Sequence, residues 1–115
     1  MANYLVTGGG GFIGSNLVEH LVARGDNVRA LDDFSTGRRE NLADFSDKID
    51  LIEGDLRDAE TCARAVADMD YVLHQAAVPS VPRSVANPHL CHDVNVTGLL
   101  NLLTAARDAH VGELL

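Results

Sequence analysis

Thr7-Gly8-Gly9-Gly10-Gly11-Phe12-Ile13-Gly14 is the stretch on which the reading of this chain turns. The apolar residues Tyr4, Leu5 and Val6 lead into it as a strand, and an amphipathic stretch leaves it from about Phe12 as a helix. A strand, a turn without Cβ atoms and a helix N-terminus present backbone N–H groups and a positive dipole end to an anion such as a pyrophosphate. The glycines divide the work. Gly8 permits the tight turn, Gly11 allows a ligand to come close, and Gly14 lets the helix pack against the strand. Glycine runs also occur in plain loops, so the neighbouring elements decide the matter.

Downstream, Asn27-Val28-Arg29-Ala30-Leu31 reads as a second strand ending in Asp32-Asp33. A carboxylate about 20 positions beyond such a turn, at the end of the next strand, is placed to accept from ribose hydroxyls. It would also repel a 2′-phosphate, which favours NAD over NADP. Arg38 and Arg39 pull the other way, since either could neutralise a phosphate. The competing reading makes Asp32 or Asp33 merely the cap of a following helix.

The chain has 115 residues and a formal net charge of −8, which suits one soluble domain and argues against nucleic-acid binding, where clustered cations are needed. No apolar run approaches the ~20 residues of a membrane span, and the early apolar run is broken by glycines, so neither membrane insertion nor a signal segment is expected. Cys62 and Cys91 lack metal-motif spacing and read as free thiols of a cytoplasmic protein.

Periodicity gives strands alternating with helices. The first helix is expected over Phe12–Arg24, with Ile13, Leu17 and Leu21 on its buried face and Gly25 just past its end. Residues 34–48 read as a loop with a short helix near Arg39–Phe45. Asp50 to Glu53 suggests a third strand, and Asp58 caps a helix running to about Ala67. Tyr71-Val72-Leu73 opens a fourth strand running into His74-Gln75-Ala76-Ala77. After a loop with Pro79 and Pro82, Asn87-Pro88 marks the start of a long helix that carries Leu99, Leu102, Leu103 and Ala106 on one face. Such alternation implies an α/β fold: a truncated Rossmann doubly wound parallel sheet of about four strands in the order 3-2-1-4, with helices on both faces.

Five motifs in register then carry a family resemblance. They are Thr7-Gly8-x-x-Gly11-x-x-Gly14, Asp32-Asp33-Phe34-Ser35-Thr36-Gly37, Gly54-Asp55-Leu56-Arg57-Asp58, His74-Gln75-Ala76-Ala77 and Asn95-Val96-Thr97-Gly98. Together they resemble the N-terminal part of the extended short-chain dehydrogenase/reductase family. The match is best to nucleotide-sugar epimerases of the UDP-glucose 4-epimerase type, a likeness that Val78-Pro79-Ser80-Val81-Pro82-Arg83-Ser84 supports. The resemblance implies NAD as cofactor. It places Gly8, Gly11, Phe12, Ile13 and Gly14 around the pyrophosphate and Asp32 on the adenosine ribose. Asp33 and Ser35 would lie near the ribose and adenine edge, with Asp55 and Leu56 bracketing the adenine. Gln75, Ala76 and Ala77 would run beneath the nicotinamide ribose, and Asn95 would brace the neighbouring strand ends; packing alone is the rival account of Ala76 and Ala77.

The catalytic half of that family's pattern does not occur in these residues. Its Tyr-x-x-x-Lys pair, in which the lysine lowers the pKa of a tyrosine base, needs a tyrosine four positions before a lysine. The one lysine, Lys48, follows Asp44 at that spacing, and the tyrosines are Tyr4 and Tyr71. The expectation is therefore a single truncated NAD-binding domain without the substrate domain, not competent for epimerisation alone. The alternative is a small independent protein with another activity, such as hydrolysis, or an assembly role. For hydrolysis Ser80, Ser84, His74 and Asp93 could furnish a triad, but no Gly-x-Ser-x-Gly elbow accompanies them. His89-x-x-His92 could hold a metal only with a third ligand from elsewhere, and a solvated helix start is the better account of it. Partners are expected to be NAD, a nucleotide-sugar and a second copy of the chain, docked through an exposed fourth-strand edge or the surface beside the last helix.

Overall fold

A computed structural model of the chain describes residues 2–35, 37–76, 89 and 93–114. Strands form where the apolar runs lie: β1 (Asn3–Thr7), β2 (Asn27–Asp32), β3 (Asp50–Glu53), β4 (Tyr71–His74) and β5 (Glu113–Leu114). All pair in parallel, in the order β3-β2-β1-β4-β5. The expected 3-2-1-4 arrangement is therefore present, with a short fifth strand beside it. Tyr71 pairs with Glu113 and Val72 with Leu114, so the β4 edge is covered along those two positions and is not bare as the sequence suggested. The turn closes because the Gly112 N–H donates to the Asp70 carbonyl at 2.9 Å. Two residues carry too little periodicity to register as a strand beforehand.

Strand alternation builds two cores. Leu5, Leu31 and Val72 face one side, with Cys62, Ala65 and Val66 of helix α2 (Ala59–Val66) and Leu102 and Ala106 of helix α3 (Gly98–Asp108). Val6, Val28 and Ala30 face the other, against Val18 and Leu21 of helix α1 (Phe12–Ala23) and Leu42. Leu42 belongs to a 3₁₀ segment over Arg39–Lys48, interrupted at Phe45. Burial on both sheet faces is why the strands read as apolar runs.

Caps fix the helix ends. At the end of α1 the N–H groups of Gly25 and Asp26 donate to the carbonyls of Val22 and Leu21, with Gly25 at a positive φ of 86°. At the start of α2 the Asp58 carboxylate accepts from the Glu60 N–H and the Thr61 hydroxyl. Arg29 closes the far end of α2: its Nη1 donates to the Ala65 and Ala67 carbonyls, both at 2.9 Å, while its Nε pairs with Asp50.

Two helix faces differ from the periodic reading. On α1 the buried residues are Gly14, Ser15, Val18 and Leu21, whereas Ile13 is 61% exposed. Gly14 must face the Gly8 carbonyl, and that turns Ile13 outward. On α3 the buried line is Gly98, Leu102 and Ala106, and Leu103 is 45% exposed. A π-helical turn over Asp93–Thr97 precedes α3. The expected helix start at Asn87-Pro88, the 78–84 segment, Cys91 and His92 lie outside the described residues. Cys62 is buried, and burial together with Asp58 and Asp55 pushes its thiol up to about 11. No helix among the described residues is long and apolar enough to cross a membrane.

Candidate functional site

The carboxyl ends of β1, β2, β3 and β4 meet at the glycine turn, the place where an open α/β sheet binds ligands. Protein packing accounts for four of its five glycines. A Cβ on Gly8, whose φ is +69°, would lie 2.8 Å from the Ala76 nitrogen, and one on Gly9 would lie 2.8 Å from the Ala30 Cβ. On Gly10 it would meet the Phe34 ring at 2.7 Å, and on Gly14 the Gly8 carbonyl oxygen at 2.1 Å. Gly11 is different. Its added Cβ would meet one atom among the described residues, the Gly8 oxygen at 3.3 Å, a contact that a small shift relieves.

Gly11 is also the N-cap of α1 and brings no side chain to the N–H groups of Phe12, Ile13 and Gly14. Those donors have no acceptor within the helix. Phe12, at 81% exposure, flanks them. The result is an open, side-chain-free cradle of N–H groups at a positive helix end, which matches the chemistry of a diphosphate. Gly9 and Gly10 had no separate role in the sequence reading. The signal for Gly10 was the Phe34 that packs on it.

Asp32 closes one side of the turn. It is 8% exposed, its Oδ2 accepts from the Gly10 N–H at 2.8 Å and its Oδ1 accepts from the Phe34 N–H at 2.8 Å. Asp33 is exposed and accepts from the Ser35 N–H at 2.9 Å. Neither caps a helix, because the following 3₁₀ segment begins at Arg39 with Arg38 before it. The loop is tied back onto the turn, since the Arg38 N–H and the Asn41 side-chain amide both donate to the Gly10 carbonyl. Arg39 stacks over the Phe34 ring at 4.4 Å and pairs with Glu53.

Across the turn, Thr7 joins β1 to the segment after β4. Its buried hydroxyl accepts from the Gln75 N–H at 3.0 Å and the Ala76 N–H at 3.2 Å, and it lies 2.7 Å from the His74 Nδ1. With both lone pairs used, the hydroxyl proton goes to Nδ1, so the imidazole is neutral and carries its hydrogen on Nε2. Burial holds His74 below its ordinary 6.5. The unfolded chain therefore takes a proton that the folded one resists, and this contribution to stability is present above pH 6.5 and lost as pH falls below it. Thermal unfolding followed from about pH 8 to pH 5 should show that decline, and His74→Gln should flatten it; an identical slope in both proteins contradicts the assignment.

The third strand end brings Gly54, Asp55 and Leu56 to the same rim, with the Gly54 N–H on the Asp32 carbonyl at 3.0 Å. Asp55 accepts from Arg57, whose hydrogen bonds hold its carboxyl below the usual carboxylate range. The Leu56 side chain is buried in the core, so only its backbone faces the site. Gln75 is exposed and Ala76 half-buried beside Gly8, whereas Ala77 lies outside the described residues. Asn95 sits half-buried in the π-helical turn ahead of α3. Sequence reasoning missed Asn41 and Asn101, whose only mark was polarity within otherwise regular segments.

Residues 5–114 match the family model described as GDP-mannose 4,6 dehydratase. The chain is 47% identical over 110 residues to UDP-glucose 4-epimerase of Mycolicibacterium smegmatis, covering 93% of this chain and 35% of that protein. The crystal structure of Thermus thermophilus UDP-glucose 4-epimerase in complex with NAD superposes with a TM-score of 0.89 at 46% identity, over 97% of this chain and 36% of the other. A dTDP-glucose 4,6-dehydratase of Streptomyces venezuelae, solved with NAD bound, gives a TM-score of 0.91 at 39% identity, over 97% of this chain and 38% of the other. The chain spans about a third of the length of the curated relatives it matches.

Proposed function

Because this chain belongs to the GDP-mannose 4,6-dehydratase family, within the NAD-dependent epimerases and dehydratases, we propose that its residues form the NAD-holding part of an enzyme acting on nucleotide-sugars, of UDP-glucose 4-epimerase type. The observation that carries the reading is the convergence of the open Gly11 cradle, buried Asp32, the Asp55 turn and the Thr7-bound 75–76 segment on one rim. Gly8, Gly11, Phe12, Ile13 and Gly14 would hold the pyrophosphate. Asp32 would take the adenosine ribose, with Asp33 and Ser35 at its edge. Asp55 and the Leu56 backbone would meet the adenine, Gln75, Ala76 and Ala77 would lie under the nicotinamide ribose, and Asn95 would brace them.

NAD, when bound, supplies an acceptor for hydride from a sugar carbon. These residues bind and orient, and they contain no Tyr-x-x-x-Lys base. Hydride transfer on a sugar therefore needs a base from outside this set. Calorimetry tests the reading: saturable NAD binding supports it, and no heat at millimolar NAD contradicts it. Turnover of UDP-galactose by these 115 residues alone would contradict the division between holding and chemistry.

Self-association is part of the same proposal. Val96, Leu100 and Leu103 stand 52%, 62% and 45% exposed along α3 and the turn before it, and they form an apolar stripe suited to a second copy. Light scattering should find a dimer or larger species at micromolar concentration, whereas a monomer throughout that range contradicts it. A cytoplasmic location fits the free thiol of Cys62.

A further inference from the structure

We propose that the open edge of β3 is a docking site for an extended peptide strand in which acidic and β-branched residues alternate. β3 is the last strand of the sheet on its side, and no part of the cofactor rim is needed for the contact. The Gly54 N–H donates to the Asp32 carbonyl, and successive residues of a strand turn their hydrogen-bonding groups to opposite sides, so Ile52 also faces β2. Leu51 and Glu53 therefore point two N–H and two C=O groups outward, the row with which an added strand pairs. Edge strands are ordinarily protected by charge. Here both edge carboxylates are neutralised within the chain, Asp50 by Arg29 at 2.9 Å and Glu53 by Arg39. They do not repel an incoming strand.

Side-chain alternation sets what such a strand must carry. Ile52 packs toward the core that holds α2, and Asp50 shares its face, whereas Leu51 and Glu53 stand on the other. A groove of about 410 Å³ runs along the edge, lined by β3, Arg29 and Arg64 of α2. The Arg64 guanidinium is exposed and has no partner among the described residues. With Arg29 and Arg39 set against Asp50 and Glu53, it leaves this edge one positive charge in excess, on a chain of net charge −8. An acidic side chain on the α2 face of an added strand meets Arg64. A residue on the opposite face lies beside Leu51, which is 38% exposed, and an apolar, β-branched side chain suits that position. Charge and backbone together thus favour a strand of another polypeptide with a period of two.

Two acetylated and amidated pentapeptides provide the test, Val-Glu-Val-Glu-Val and Val-Lys-Val-Lys-Val, each titrated into the labelled whole chain while backbone amide shifts are followed. The acidic probe should bind saturably and move the Leu51 and Glu53 amides. It should bind about tenfold more tightly than the basic probe, in which an attraction is replaced by a repulsion. Arg64→Glu should reverse that order, and Arg107→Glu, at an exposed arginine of α3, should keep it. Full N-methylation of the acidic probe should abolish binding, because it removes the donors that β3 carbonyls accept from. Equal affinity for the two probes, an unchanged order in folded Arg64→Glu, or shifts confined to another surface overturns the inference. So does the lack of binding by either probe at millimolar concentration. Concentration-dependent movement of Leu51 and Glu53 without peptide also overturns it, and assigns the edge to a second copy of the chain.

Discussion

Gly14→Ala is expected to lower NAD affinity by about a hundredfold and to destabilise the fold by about 2–3 kcal/mol. The new methyl would stand 2.1 Å from the Gly8 carbonyl oxygen, which is backbone and cannot rotate away. That oxygen also accepts from the Gly11 N–H at 3.0 Å, so moving it opens the turn. Gly8 already lies against Gln75 and Ala76, and its displacement is passed to the Thr7 bonds that hold the 75–76 segment. Two lost N–H bonds to an anion, at about 1.5 kcal/mol each, give the hundredfold figure. Gly11→Ala is the matching contrast. It should keep its stability within about 1 kcal/mol of wild type while still losing affinity, because its methyl projects into the cradle. Chemical unfolding and calorimetry on the two variants check the pair. Equal stability loss in both contradicts the separation of packing glycines from the ligand-facing one.

Asp32→Asn carries the second large effect, although it changes one atom. Both carboxylate oxygens accept a backbone N–H, from Gly10 and from Phe34, in a buried setting. An amide accepts through one oxygen only, and its NH₂ would face a second donor, so one N–H is orphaned at a cost of about 2 kcal/mol. NAD affinity should fall with it. NADP should gain little, because Arg39 remains on Phe34 and Glu53. Urea unfolding with paired NAD and NADP titrations checks both parts. Unchanged stability, or a variant that turns to NADP, contradicts the account.

Much of this was legible in the sequence because several local signals agreed. The glycine turn, the strand runs and the Asp58 cap each point to the same βαβ units. Ile13 fits an apolar helix face by spacing, yet close backbone approach at Gly14 sets the rotation of α1 instead, and on α3 the buried line runs through Gly98, Leu102 and Ala106 while Leu103 is 45% exposed. Periodicity counts apolar residues and does not see where a missing Cβ is needed. The site's anchors were less visible for a related reason. Thr7, Asn41 and Asn101 act through bonds to residues between 31 and 69 positions away, and no local pattern records them. The sequence marks Asp32 as a candidate ribose acceptor, whereas its bracing of the glycine turn emerges only from the geometry.

Backbone amide chemical shifts of the labelled chain during titration with NAD test the central claim most directly. The account predicts saturable shifts at Gly8–Gly14, Asp32–Ser35, Asp55–Leu56 and Gln75–Ala76, on the one rim where the strand ends meet. Shifts confined to another surface, such as the groove of Arg29, Asp50, Leu51 and Arg64 at the β3 edge, or no shifts at millimolar NAD, would contradict it.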